Sequence, residues 1–316
     1  MVAVWLNILS GGASLLAKIV NDNAGCLVHS GAHSFSASKL VPTKTGIMAA
    51  STEPQGFDSM KAPLALCVLA SLANVAQADT AASRLDDVIA RGTLTVCTTG
   101  DYKPYTSLRS DGGYEGIDIA MAESLANSLN AKINWVPTTW KTLMPDFLAQ
   151  RCDIAVGGIS VSLERQKKAF FSQSLGVDGK IPLVRCADVQ RYQTVEQINQ
   201  PQVRVIEPAG GTNEVFARAH LGQTQIRLHD NVTIFDELLA GKADVMITDA
   251  SEARYQQKLK PGLCAVNPEQ PMQYSEKAFL LPRDDVAWKS YVDQWLHLSV
   301  ATGAYAGIVG QWLAAP

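Results

Sequence analysis

From residue 83 onward, short β-branched runs alternate with segments whose apolar residues recur at helical spacing. "SRLDDVIARG" predicts an amphipathic helix closed by Gly92, and "TLTVCTTG" a strand ending at Gly100. The helix "DIAMAESLANSLN", the strand "AKINWVPT", the helix "TLMPDFLAQR" and the short buried strand "CDIAVGG" follow. "SLERQKKAFF" predicts a helix with Ser162 as N-cap, and "GKIPLVRCAD" a strand. The scheme then repeats through "QVRVIEP", "NEVFARAHL", "IRLHD", "VTIFDELLAGK", "ADVMITD", "SEARYQQKL" and "KAFLLPR", with helices to the end. Alternation of this kind predicts an α/β fold with mainly parallel sheets. No period of repeat proteins recurs.

Ligands of such sheets sit beyond the carboxyl ends of the strands. The residues there are Gly100-Asp101-Tyr102, Thr138-Thr139-Trp140, Gly157-Gly158-Ile159-Ser160, Ala209-Gly210-Gly211-Thr212-Asn213 and Thr248-Asp249-Ala250-Ser251-Glu252. Arg165 lies in a first helical turn, where its charge opposes the dipole. It reads either as a solvated cation or as a bidentate clamp for a carboxylate, helped by the amides of Gly157 to Ser160. The amides of Gly210, Gly211 and Thr212 could hold another anionic group. Tyr102 and Trp140 fit either core aromatics or walls of an apolar pocket. Asp249 and Ser251 suit helix capping, and Glu252 suits a first turn.

The N-terminal part differs. Met60-Lys61, the apolar run "APLALCVLASLANV" and Ala76-Gln77-Ala78 describe a secretory signal peptide over 60–78, cut after Ala78. Residues 1–59 show no sustained period and are not part of the fold; a start site placed too far upstream explains them, against a true long leader. Net charge is −3 and 18% of residues are charged, with no basic patch to favour nucleic acid. No apolar run is long enough for a confident membrane span, so nothing anchors the exported chain to the membrane.

Export leaves Cys97, Cys152, Cys186 and Cys264, which allow three full pairings. Cys97 and Cys152 sit in strand-like apolar contexts and read as buried thiols. Cys186 and Cys264 are the disulfide candidates. Their spacings do not suit zinc, and no metal is expected. No Ser-His-Asp order supports a hydrolase.

The strings "GTLTVCTTGDYKPYT", "GYEGIDIAMAESLA" and "DIAVGGISVSLERQKKAFFS" resemble the type II periplasmic solute-binding proteins for polar amino acids. Together with "VPTTW", "GGTNE", "DNVTIF", "GKADVMITDASEARYQ", "LCAVNP", "EKAFLLPRD" and "YVDQWLH", they resemble that superfamily's cyclohexadienyl dehydratases. The resemblance implies two lobes joined by two crossover strands, with 84–183 plus 279–316 as lobe 1 and 184–278 as lobe 2. It implies a periplasmic enzyme that takes prephenate to phenylpyruvate and arogenate to phenylalanine, without a cofactor, as a homotrimer. Glu252 matches the family's general acid. Asp101, Tyr102, Trp140, Ser160, Arg165, Thr212, Asn213 and Asp249 match its cleft. Asp249 could cap its helix, orient Glu252 or accept the ammonium of arogenate. One departure stands out: Glu207-Pro208-Ala209 replaces the usual Asn-Pro before "GGTNE". The competing reading is a non-catalytic amino-acid-binding protein of a transporter.

Overall fold

The computed structural model describes residues 83–313; the expected signal segment 60–78 and residues 1–59 lie outside them. Helix α1 (Arg84–Arg91) leads to β1 (Thr93–Thr98) and a small antiparallel sheet of β2 (Asp101–Tyr102), β3 (Thr106–Leu108) and β4 (Tyr114–Glu115). Then come α2 (Ile117–Ser128), β5 (Lys132–Pro137), α3 (Leu143–Leu148), β6 (Ile154–Ala155), α4 (Leu163–Gln166) and β7 (Phe170–Phe171). The long β8 (Gly176–Arg185) is followed by α5 (Val195–Ile198), β9 (Arg204–Pro208), α6 (Thr212–His220) and β10 (Gln225–His229). Next are α7 (Ile234–Leu239), β11 (Val245–Asp249), α8 (Ala250–Leu259), β12 (Leu263–Ala265) and β13 (Gln273–Lys277). The chain closes with β14 (Leu280–Leu281), α9 (Val286–Ala301) and α10 (Ala304–Leu313).

Two sheets organise these elements into two lobes. The first runs β5-β1-β6-β14-β7, with β5, β1 and β6 parallel and β14 antiparallel to both its neighbours, β6 and β7. The second runs β10-β9-β11-β8-β12, with β13 also on β8. Here β10, β9 and β11 are parallel, and β8 pairs antiparallel with β11, β12 and β13. The parallel strands are the helix-separated ones that the sequence pattern marks. The antiparallel strands arise where the chain passes between lobes.

Both faces of each sheet are covered, so the central strands are apolar on both sides, as parallel strands require. On the first sheet, Leu94, Val96, Met121, Leu125 and Trp288 pack on one face, and Leu143, Phe147, Ile159 and Leu280 on the other. The buried Trp288 indole donates to the Asp153 carbonyl at 3.0 Å, which satisfies its one polar atom. On the second sheet, Ile181, Phe235, Leu238 and Met246 form one layer, and Val205, Phe216 and Ile247 the other. All five residues of β11 are buried, which brings its carboxyl end, Asp249, into the interior.

The passage between lobes is a pair of antiparallel segments. Leu175 N–H donates to the Lys277 carbonyl at 2.8 Å, and Ser172 N–H to the Phe279 carbonyl at 2.9 Å. Sequence periodicity expects Phe170-Phe171 to end a helix and "KAFLLPR" to be one strand. The helix instead stops at Gln166, and Phe170-Phe171 pairs with Leu280-Leu281, because burying Phe171 against the first sheet outweighs local helix propensity. Lys277 ends β13 in the second sheet and Leu280 starts β14 in the first.

Cys186 and Cys264 form a disulfide beside the β8-β12 pairing. Cys97 and Cys152, expected as buried thiols, are joined too. Burial alone does not separate a thiol from a disulfide; β1 and β6 are parallel neighbours, which brings Cys97 beside the residues that precede β6. The bridges close loops of 55 and 78 residues. Replacing both cysteines of either pair with alanine should therefore destabilise the protein by about 2–4 kcal/mol, read from denaturant unfolding. Unchanged midpoints for both double variants would contradict this.

Candidate active site

A cavity of about 20 Å³ lies where the lobes meet. The first lobe lines it with Tyr102, Trp140, Gly158 and Ser160, the second with Pro208, Gly211, Thr212, Asn213 and Asp249. The space suits about one water, so a larger ligand enters only as the lobes separate. Two glycines permit the close approach. A Cβ on Gly158, whose φ is +71°, would meet the Tyr102 and Tyr105 rings at 2.6 Å. One on Gly210, with φ +85°, would lie 2.5 Å from the Lys141 backbone across the cleft.

Asp249 stands at the centre, at the carboxyl end of β11. Its Oδ1 accepts from Lys180 Nζ at 2.8 Å, and its Oδ2 from Lys277 Nζ at 2.6 Å and Tyr102 Oη at 2.5 Å. All four side chains are buried. Burial alone would raise the Asp249 pKa, but the two ammoniums outweigh it and hold the carboxyl well below the usual range. Lys180 also donates to Thr212 Oγ1 at 2.9 Å and Asn213 Oδ1 at 2.5 Å, and Lys277 to Ser160 Oγ at 3.0 Å. Desolvation lowers the Lys180 pKa, against the pull of Asp249. Lys277 lies 5.0 Å from the Tyr102 ring centre, in cation-π contact.

Asp249 precedes α8 as an N-cap but makes no side-chain capping bond. Asp178 of β8 takes that role, accepting from Ser251 N at 3.2 Å and from Ser251 Oγ at 2.5 Å. With both oxygens of Asp249 committed to lysines, capping drops out of the three roles open to it, and an ammonium would have to displace a lysine.

Glu252 lies in the first turn of α8 and is fully buried. Its Oε2 accepts from Thr248 Oγ1 at 2.5 Å, and its Oε1 has no hydrogen-bond partner among the described residues. Burial pushes its pKa up to about 8, against the Thr248 bond, and the charges of Asp249 and Asp101 add to the rise. A helix N-terminus favours a carboxylate, but desolvation wins here and Glu252 holds a proton at neutral pH.

Other candidates fall in several places. Arg165 is buried, donates to the Ser160 carbonyl at 2.8 Å, and has no carboxylate within ion-pair distance among the described residues. Burial lowers its pKa to about 10, with Asp249 opposing. The Gly157 and Gly158 amides, expected to face a ligand, instead donate to Asp118 Oδ2 at 2.9 and 2.7 Å. Gly210 N–H donates to Glu214 Oε2 at 2.6 Å, which closes that helix start on itself. Asp101 lines a second cavity, apart from the one holding Tyr102 and Asp249. Glu207, the departure from the family pattern, points inward and accepts from Ile247 N at 2.8 Å; burial raises its pKa well above the ordinary value. Its neighbour Pro208 lines the cleft.

Sequence reasoning passed over Lys180 and Lys277. The signal was there: "GKIPL" and "EKAFLL" each carry a lysine next to apolar residues of a buried strand.

Residues 94–315 match the bacterial extracellular solute-binding proteins, family 3. The chain is 52% identical over 262 residues to the cyclohexadienyl dehydratase of Pseudomonas aeruginosa, spanning 82% of this chain and 96% of that one. It is 28% identical to the L-cystine-binding protein of Escherichia coli, over 52% of this chain and 62% of that one. The crystal structure of an ancestral amino acid-binding protein, described as a precursor of cyclohexadienyl dehydratase, superposes with a TM-score of 0.68 at 32% identity, over 73% of this chain and all of that one. With its two-lobed type II periplasmic binding-protein fold, the chain belongs to the bacterial extracellular solute-binding proteins, family 3, in the branch that contains the cyclohexadienyl dehydratases.

Proposed function

We propose that the protein acts as an exported cyclohexadienyl dehydratase, taking prephenate to phenylpyruvate and arogenate to phenylalanine. The observation that carries this reading is Glu252: a fully buried acid with an unpartnered Oε1 among the described residues, whose pKa burial raises to about 8, one helical turn from the Asp249–lysine centre. A binding protein needs no buried proton donor there; an enzyme that expels a hydroxyl does. The cations fit the same chemistry. Arg165, Lys180 and Lys277 outnumber by one the carboxylates in ion-pair contact with them, Asp249 and Asp178. That surplus of one positive charge suits an anionic substrate.

In the proposed step, Lys180, Lys277 and Arg165 fix the substrate carboxylates, and Tyr102 and Trp140 flank its ring. Orientation of this kind converts bound substrate to a reactive geometry. Glu252 gives its proton to the departing ring hydroxyl, which leaves as water. The ring carboxylate leaves as carbon dioxide, and its bonding electrons complete the aromatic ring. Closed lobes keep bulk water from competing as the proton source. The reading extends to a periplasmic location and a homotrimer, which the family resemblance supports.

The test is to incubate the mature protein with prephenate and follow phenylpyruvate. Conversion on the scale of seconds to minutes is expected. Persistence of prephenate, together with tight binding of a polar amino acid, would assign the protein to transport instead. Sedimentation of the same sample reads the oligomer.

A further inference from the structure

Thr248 sits where the buried end of β11 runs into the first turn of α8. It is fully buried, and its hydroxyl has two hydrogen-bond neighbours among the described residues, Asn213 and Glu252. A glutamate at the third position of a helix commonly turns back to the N-cap amide. Glu252 bonds the Thr248 hydroxyl instead, at 2.5 Å through Oε2, and its Oε1 has no hydrogen-bond partner among the described residues.

The direction of these bonds follows from what each atom can do. The Lys180 ammonium carries only donors, so the oxygen of the Asn213 amide must face it, at 2.5 Å. The other end of that amide, Nδ2, is then a donor to Thr248 Oγ1 at 3.3 Å. Thr248 gives a lone pair to Asn213, and its single hydrogen is left for Glu252 Oε2. In the reverse arrangement Glu252 would donate inward to Thr248. That would strand the threonine hydrogen, which has no other acceptor among the described residues. A buried donor without a partner is costly. Oε2 is therefore the accepting oxygen, and the proton of neutral Glu252 sits on Oε1.

We infer that Thr248 is a positioning residue for the general acid: its hydroxyl, oriented by Asn213, keeps the Glu252 proton on Oε1 and steadies the carboxylate left after transfer. The inference rests on the dehydratase reading above. In the step, the Oε1 proton passes to the ring hydroxyl, the carbon–oxygen bond breaks and water leaves. The electrons of the broken O–H bond stay on Glu252, as charge shared with Oε2. The Thr248 bond then becomes charge-assisted, and such bonds are about twice as strong as neutral ones. Thr248 acts through Glu252, and its contribution grows only as Glu252 ionises.

Thr248→Val keeps the branched shape and removes the hydroxyl. In the mature protein its kcat for prephenate should fall about tenfold with KM unchanged, the excess of a charge-assisted bond over a neutral one. The alkaline limb of kcat/KM should move up by about one pH unit. Thr248→Ser returns the hydroxyl and should restore both. Nuclear magnetic resonance of protein carrying isotope-labelled glutamate carboxyls reads the same proton without substrate. The Glu252 signal is the one lost in Glu252→Gln. Its titration midpoint should rise by about one pH unit in Thr248→Val and return in Thr248→Ser. Asn213→Asp gives a second route should Thr248→Val not fold. It keeps an acceptor for Lys180 but offers Thr248 an acceptor too, which turns the hydroxyl away from Glu252. At saturating substrate it should lose kcat to a similar degree although Thr248 is intact. A wild-type kcat in either variant would overturn the inference. So would a loss of kcat in Thr248→Val with an unmoved Glu252 midpoint, a loss carried by KM, or a Thr248→Ser variant that restores neither. Failure of the dehydratase reading is distinct: wild type itself would leave prephenate intact, while the titration would still report the Thr248 bond.

Discussion

Glu252→Gln is expected to lower kcat for prephenate by about 10²- to 10⁴-fold while leaving substrate affinity within a few-fold of wild type. Glutamine keeps the side chain's size and an oxygen to accept from Thr248 Oγ1, so the 2.5 Å contact has a near equivalent and folding should survive. What it removes is the proton. Expulsion of hydroxide from the ring would then depend on water, which the closed cleft excludes. Steady-state kinetics with phenylpyruvate as the readout decide the matter, with dye-free calorimetric binding as the control. A variant with near-native kcat would remove Glu252 from the mechanism.

The same residue sets the expected pH profile. A general acid works protonated, and burial holds Glu252 protonated up to about pH 8. In kcat/KM, which reports the free enzyme, activity should stay level below that value and fall about tenfold per unit above it. An anionic substrate in the cleft disfavours ionisation further, so the fall in kcat should begin at higher pH than the fall in kcat/KM. In Glu252→Gln the residual rate should lose this limb.

Much of the fold is legible in the sequence, and the reasons are local. Strands β1, β5, β9 and β11 and helices α1, α2, α6 and α8 follow period and turn residues, because their burial repeats at short range. Strand-end positions also brought together Tyr102, Trp140, Ser160, Thr212, Asn213 and Asp249, since the carboxyl ends of parallel strands share one edge. Other features depend on pairing between distant segments. Phe170-Phe171 is a strand only because Leu280-Leu281 lies beside it. Cys97 finds Cys152 only through the neighbouring strands β1 and β6. Lys180 and Lys277 lie 97 positions apart on crossover strands that no helix-strand alternation predicts, and only their antiparallel register sets both on Asp249. The amides of Gly157 and Gly158 looked available until Asp118, forty residues away, took them.

The second large effect belongs to Asp249→Asn. Asparagine has nearly the same shape, so packing changes little, but one buried negative charge disappears from between two buried ammoniums. Removing one partner of a buried ion pair costs about 3–5 kcal/mol, because the charge left behind is neither solvated nor paired. For a domain of this size that corresponds to a fall in Tm of about 10 °C. Lys180, already depressed by desolvation, should respond by giving up its proton more readily. Prephenate, supplying carboxylates, should return part of the lost Tm. Both substrates should be affected alike, because Asp249 acts by holding the lysines. A variant that lost arogenate turnover but kept prephenate turnover would show instead that Asp249 receives the ammonium. The cause can be isolated by adding Lys277→Met to Asp249→Asn. If uncompensated charge is the source of the loss, the double variant should be more stable than Asp249→Asn alone, with a coupling of a few kcal/mol from the cycle. If the two losses simply add, the centre is held by packing, and its charges are incidental to stability.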